Sequence, residues 1–474
     1  MLALRPSVCL AILALCAQSG SMQGLLQPPP PQGFGALECL PITASNSSVV
    51  IYPAGDPVIL EYTGVYPRVS GSVEDGLYLG YAAREGFTKI LRAYRSTDGG
   101  GSWQKLGDVD RGDNRTRELD NAFPLVLPAG FPGSTGDNNT GGRNTSNSSN
   151  NTTEDNKHYP GRLLYAYRNH DRSPNNTLGV PDNYTFYRLS VSASDDGGRT
   201  WALLSHIDTR AANNGSANLN GLWEPFLRGA SDGTTLQAYY SAENDAGDQD
   251  SLLRESADGG RTWGGAPRVV SGANRVRSRD GMTGVAPLGD GWRDGGGGED
   301  GRLMLFFETT ESGRFDVRRV ISADGGKTWP DATRARVYDP WDEEKIASAP
   351  AGVVNVGGTL VAGFMTNEGT NSSGSVPGDF KVVTSVDDGE TWSGSVLIAR
   401  EAIWPGLYSL DEDRFMAMYS FDTYEGEYVA ATRVFELQRG SFRKPVVTIY
   451  LDVGSMIGVV RPRLREITWY RSLR

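Results

Sequence analysis

Short apolar runs bounded by Gly, Asp and Ser alternate with turn residues through most of this chain. One stretch shows the rhythm clearly. Thr283 to Leu288, Arg302 to Phe307 and Val317 to Ser322 read as three successive strands, and the turn Ser322-Ala-Asp-Gly-Gly-Lys-Thr-Trp329 leads into a fourth. Runs of this length, punctuated in this way, predict β-strands joined by tight turns. Four consecutive antiparallel strands make one blade of a β-propeller.

The turn recurs. Ser96 to Trp103, Ser194 to Trp201, Ser256 to Trp263, Ser322 to Trp329 and Ser385 to Trp392 all fit S-x-D-x-G-x-[ST]-W, with central residues Asp98, Asp196, Asp258, Asp324 and Asp387. The last four are spaced by 62, 66 and 63 residues, and the first gap is 98. A low-complexity insert at residues 131–157 accounts for most of that excess. A fixed period with one motif per unit is the signature of a repeat architecture. The motif is the Asp box, found in many β-propellers, and its residues serve the turn. Asp accepts backbone N–H bonds, Gly supplies a positive φ, and Trp packs against the blade.

Because the box joins the third strand to the fourth, it fixes polarity. The start of each first strand and the end of each second strand fall on the rim opposite the boxes. The first-strand starts are Tyr66-Pro-Arg68, Asp120-Asn121, Trp223-Glu-Pro225, Arg279-Asp-Gly281, Ser348-Ala-Pro350 and Ile403-Trp-Pro405. The second-strand ends are Arg84-Glu85, Arg168-Asn-His170, Tyr240 to Glu243, Glu308, Asn367-Glu368 and Tyr419 to Asp422. Six of each, with a sixth unit lacking a box, predict an all-β, six-bladed β-propeller over residues 40–450. It would be closed by strands from both ends of the chain.

Composition narrows the function. The chain carries a formal net charge of −11, which argues against a nucleic-acid groove. Residues 1–21 read as a secretory leader, with Arg5 ahead of a short apolar stretch, and no apolar run is long enough to span a membrane. N-x-[ST] sites are dense at residues 138–151, as expected of a glycosylated surface loop in a secreted protein. Cys9 and Cys16 fall in the leader, leaving Cys39, so no intrachain disulfide is expected. With His158, His170 and His206 as the only histidines, no zinc ligand set is expected, and no cofactor. The basic tail at residues 451–474 carries no functional reading.

The candidate chemistry is on the rim opposite the boxes. Its Glu, Arg, Asn, Tyr and Trp suit a carbohydrate, which needs polar partners for hydroxyls and flat apolar faces for sugar rings. Glu224 sits between Trp223 and Pro225, and Glu308 ends the run Leu303-Met-Leu-Phe-Phe307. Two such carboxyls in adjacent blades can serve as acid and nucleophile in glycosidic hydrolysis. The plainer alternative is that each orders the funnel by pairing with an arginine. Arg68, Asn121, Arg168, Tyr240, Asp280 and Trp404 are expected to line the same pocket.

The segments Gly221-Leu-Trp-Glu-Pro-Phe-Leu227, Arg279-Asp-Gly-Met282, Phe306-Phe-Glu308 and Val317-Arg-Arg319 resemble the family 93 glycoside hydrolases, secreted exo-1,5-α-L-arabinanases. The resemblance spans residues 62–435. It implies a retaining enzyme acting as a monomer on plant cell-wall arabinan, with Glu224 as acid/base and Glu308 as nucleophile. Two alternatives remain open at this stage. One is a sialidase, whose three arginines would be drawn from Arg68, Arg84 and Arg168. The other is a glycan-binding propeller without catalysis.

Overall fold

A computed structural model describes residues 42–43, 49–128, 130–134, 161–173, 184–213, 220–272, 276–289, 301–370, 378–422 and 428–440. All belong to one compact unit, Leu40–Tyr450 with Leu464–Arg474, and the other unit, Met1–Cys39 with Leu451–Arg463, lies wholly outside them. The leader, the basic tail, Cys39, His158 and nearly all of the 131–157 insert are therefore also outside the described residues. So are the N-x-[ST] sites at residues 138–151.

The described residues form an all-β propeller with no α-helix and one 3-10 turn, Asp331–Thr333. Four sheets are discrete four-stranded antiparallel blades, beginning with Val65–Ser72, Arg117–Val126, Leu222–Gly229 and Gly281–Pro287. The expected six separate blades are not seen. The remaining strands form one nine-stranded sheet running from Ala347–Val356 to the N-terminal strands. The cause is the long strand Val396–Ser409. Its Ala402 is paired on one side with Gly378 and on the other with Phe421, so the ladder never breaks. At the preceding boundary the chain instead leaves its strand through a loop, residues 339–346. Val49–Pro53 and Val58–Tyr62 both pair with Tyr428–Arg439, joining the two ends of the described chain.

The first strands pack on one another in a closed ring. Val65–Ser72 meets Arg117–Val126, and the contacts continue through Leu222–Gly229, Gly281–Pro287, Ala347–Val356 and Val396–Ser409 back to Val65–Ser72. Each of these six carries a bulge that holds a non-glycine residue at positive φ: Tyr66, Asn121, Glu224, Met282, Ala349 and Trp404; Val396–Ser409 has a second such residue, Glu401, ahead of its bulge. On the paired strand the residue skipped by the bulge is aromatic each time: Tyr81, Tyr167, Tyr240, Phe307, Phe364 and Tyr419. An extra residue bends and twists the strand. Tyr66, Met282 and Ala349 then share one apolar cluster with Met365, against which Trp404 packs.

The turn motifs sit at the other end of the sheets. Ser96 lies across from Leu77, and Ser322 across from Leu303, whereas the bulged end pairs Val65 with Ala82 and Gly281 with Glu308. In the third blade Asp258 accepts from Thr262 N–H at 2.9 Å and from the Thr262 hydroxyl at 2.6 Å. Ser256 Oγ donates to Asp258 and accepts from Gly260 N–H at 2.8 Å. Gly260 has φ +85°, a conformation an L-residue adopts only at a cost. The motif tryptophans pack into the inter-sheet cores: Trp263 Nε1–H donates to Ser205 of the preceding blade, and Trp329 stacks edge-on to Tyr239.

Candidate active site

Glu224 and Glu308 reach the bulged end by different routes. Glu224 is itself a bulge residue at φ +46°. A left-handed Glu costs about 1–2 kcal/mol, and such strain is commonest where function requires a side chain to be aimed. Glu308 ends a regular strand and lies across from Gly281, beside the neighbouring bulge residue Met282.

Ser241 ties Glu224 to the next inner strand. Its hydroxyl is fully buried, donates to Glu224 Oε2 at 2.8 Å and accepts the Met282 N–H at 3.0 Å. Glu308 Oε2 accepts the Ala349 N–H at 2.6 Å. The carboxyls therefore have fixed partners: Ser241 on Leu236–Asp245, itself held by the Met282 N–H, and the Ala349 N–H of the inner strand Ala347–Val356.

Both carboxyls are held above the ordinary range. Burial pushes Glu224 up and the Glu243 charge adds to the rise, opposed by the Ser241 hydrogen bond and by the charges of Arg168 and Arg279. Burial pushes Glu308 up to about 7; the Ala349 N–H and Arg279 oppose this, while Glu224 and Asp280 add to it. Each carboxyl thus has cations or hydrogen-bond donors that favour its anion and negative neighbours that oppose it, and burial leaves both raised.

Cations and aromatics surround the pair. The Arg68 guanidinium is 3.7 Å from the centre of the Tyr66 ring and donates to Trp404 O at 3.2 Å. Tyr66 is pushed up to about 12 by burial, with Glu224 adding to the rise, so its phenol stays neutral. Arg168 lies over Trp223 at 4.9 Å and pairs with Glu118 at 2.7 Å. Burial works to raise Glu118, but Arg168, Arg172 and the Tyr184 hydroxyl bring it to about 2. Arg279 pairs with Glu243 at 2.8 Å and bonds Gln249 at 2.9 Å.

Polar atoms without partners gather at the same ring. Asn121 Oδ1, Thr283 Oγ1 and Ser348 Oγ are buried and have no hydrogen-bond partner among the described residues. Each belongs to a bulge residue or to its direct neighbour in the chain. Buried polar groups are normally satisfied, so these three are exceptions, and a ligand or water reaches them only if the side chains that cover them move.

Of the residues expected in the pocket, Arg68 and Arg168 act on Glu224 through their charge, Trp404 packs against the Tyr66, Met282 and Ala349 cluster, and Asn121 is the bulge residue of its own blade. Tyr240 faces a core instead, and Asp280 acts on Glu308 through its charge while its oxygens are taken up by other partners. Tyr240 is fully buried in the core between the second and third blades, and its hydroxyl donates to Asp208 at 2.8 Å. Successive residues of a strand face opposite sides, so the neighbour Ser241 reaches the site instead. Asp280 is wholly buried and saturated. It accepts from Ser278 at 2.9 Å, Thr309 at 2.5 Å, Arg334 at 2.8 Å and also Ser271. The bulge residue of that blade is Met282, two positions further on, so Asp280 falls behind the rim. Arg84 is exposed and does not join Arg68 and Arg168.

Sequence reasoning put Tyr66, Ser241 and Glu243 on this rim without assigning them to the pocket, and missed Glu118. For Ser241 the strand alternation was an available signal, but it needed the register of the bulge. Among the described residues no group of three His, Cys, Asp or Glu side chains is placed to hold a metal ion.

Fold and site together define an all-β propeller with a paired-carboxylate centre on the bulged end of its inner strands. Solved structures with this fold include the α-L-arabinanase of Penicillium chrysogenum complexed with arabinobiose, at 19% identity over 80% of this chain and 98% of that one, TM-score 0.54. They also include the GH93 α-L-arabinofuranosidase of Fusarium graminearum with arabinobiose, at 18% identity over 80% and 93%, TM-score 0.55. A protein of unknown function from Dyadobacter fermentans matches at 12% identity over 82% and 99%, TM-score 0.53. No protein-family model and no curated protein matches the chain. At these identities the likeness establishes the fold.

Proposed function

We propose that the protein is a secreted, retaining glycoside hydrolase that releases short arabinose units from the end of α-1,5-arabinan. The observation that carries this reading is the pair Glu224 and Glu308: two coupled carboxyls, both raised, set among unpartnered hydroxyl and amide groups. The likeness to two propellers solved with arabinobiose supports the choice of sugar. The closed ring of inner strands supports reading the nine-stranded sheet as two blades fused through Val396–Ser409, for six in all.

The electrostatics favour roles opposite to those the resemblance implies. Glu224, whose anion Ser241, Arg168 and Arg279 favour against burial and the Glu243 charge, attacks the anomeric carbon. Glu308 gives its proton to the departing oxygen as the glycosidic bond breaks. A covalent glycosyl–Glu224 ester results. The Glu308 carboxylate then takes a proton from water, which opens the ester with overall retention. Asn121, Ser348 and Thr283, once the side chains that cover them move, supply hydrogen bonds to sugar hydroxyls, and Trp404 an apolar face. The sialidase alternative is less well supported: Arg168 is neutralised by Glu118, Arg68 is held by backbone carbonyls, and Arg84 is exposed.

The test is hydrolysis of linear arabinan by purified protein, with products and their anomeric configuration followed by NMR. On an arabinoside with an activated leaving group, azide should rescue Glu308→Ala to give the retained arabinosyl azide, and Glu224→Ala to give the inverted one. The converse pattern would restore the roles implied by the resemblance. Near-normal rates in both variants, or no arabinose from wild type, would refute the hydrolase reading.

A further inference from the structure

One large aromatic on the bulged rim takes no part in the site described above. Trp341 is 73% exposed, the most exposed of the large hydrophobic residues described. It lies in the loop of residues 339–346, which leads from Ala335–Tyr338 into the inner strand Ala347–Val356. That strand supplies the Ala349 N–H to Glu308 eight residues further on. The loop therefore enters at the same end of the sheets as the carboxyl pair. An extended chain spans at most about 28 Å over that separation, and a folded loop less, so Trp341 lies within a few sugar lengths of Glu308.

The exposure is not slack. The Trp341 N–H donates to the buried Glu368 carboxylate at 2.8 Å. The other Glu368 oxygen holds the Tyr338 hydroxyl at 2.7 Å and the Lys381 ammonium at 2.6 Å. Arg314 reaches in from the next hairpin and donates to the carbonyls of Asp342 at 3.4 Å, Lys345 at 2.9 Å and also Glu343. Ile346 N–H is bound by Asn367 at 2.9 Å, and Pro340 is buried. A loop fixed at this many points, with its indole left in water, is arranged as a contact surface.

We propose that Trp341 is a stacking platform for a sugar residue of the polysaccharide chain beyond the scissile bond. This rests on the hydrolase reading above. The occupant is a neutral glycan. Asp342, Glu343 and Glu344 follow the tryptophan, and the whole chain is at −11, so an anionic glycan or an acidic membrane would be repelled. A pinned aromatic face with acceptor groups beside it suits a sugar ring, with its apolar C–H face and donor hydroxyls.

The test compares wild type, Trp341→Ala and Trp341→Phe on two substrates: linear arabinan and a short arabinoside with an activated leaving group. The side chain is exposed, so the variants should melt with wild type. The expected result for Trp341→Ala is a rise in KM on the polymer of about tenfold. Its kcat should be unchanged, as should the kinetics on the short arabinoside, and Trp341→Phe should recover most of the loss. A polymer KM within twofold of wild type would overturn the proposal, as would an equal loss on both substrates. If wild type hydrolyses neither substrate, the hydrolase reading fails. Calorimetry with arabino-oligosaccharides then decides for the platform, which stands if Trp341→Ala loses binding and falls if both bind alike or neither binds.

Discussion

Replacing Glu308 by Gln should abolish turnover and stabilise the fold, the second effect only at neutral and alkaline pH. The carboxyl moves from an ordinary value of 4.5 to about 7 on folding, mainly through burial and with the Glu224 and Asp280 charges adding to the rise. The folded protein therefore binds the Glu308 proton more tightly than the unfolded chain. Below pH 4.5 both states are protonated and the group costs nothing. Between 4.5 and about 7 the unfolded chain ionises first, and stability falls with rising pH. Above about 7 the loss is complete, at most ~3 kcal/mol, and less to the extent that water at the funnel mouth screens the charge. Gln keeps an acceptor for the Ala349 N–H but cannot ionise. Melting curves should thus coincide near pH 4.5 and separate through pH 6. By pH 8 the variant should melt higher by roughly 3–4 °C, given the size of the domain. The same offset at every pH would refute the reasoning, and so would a less stable variant at pH 8.

Three further outcomes follow from the same geometry. Ser241→Ala removes the hydroxyl shared by Glu224 and the Met282 N–H; kcat/KM should fall on the order of 10- to 100-fold, with the acid limb of the pH–rate profile displaced upward, and an unshifted limb would show that Ser241 does not set Glu224. Asp280→Ala leaves the Arg334 guanidinium buried without its carboxylate, so unfolding should become easier by about 3–5 kcal/mol, measured by urea titration, and a loss below ~1 kcal/mol would contradict the saturated network. Asp258→Ala deletes the acceptor of a turn on the far rim, so stability should drop by about 1–3 kcal/mol while KM at 25 °C stays unchanged.

The repeat was legible because it is a local matter. Asp98, Asp196, Asp258, Asp324 and Asp387 satisfy backbone donors within four residues of themselves, and a turn so closed reads the same in the sequence as in space. Turn polarity then placed Glu224, Glu308, Arg68, Asn121, Arg168 and Trp404 on one end, since a strand's direction follows from the turn that precedes it. Sheet boundaries were not legible in this way. Val396–Ser409 carries one unit into the next without a break, and whether a ladder continues depends on partners that are distant in the chain. Nor was the choice between Tyr240 and Ser241. One extra residue in the facing strand decides which of two neighbours meets Glu224, and that bulge exists only when the strands pair. The raised state of the two carboxyls is likewise a tertiary property. Sequence alone supplies two glutamates, whereas burial together with Arg168, Arg279, Ser241, Glu243 and Asp280, brought in from three blades, sets how far each is lifted.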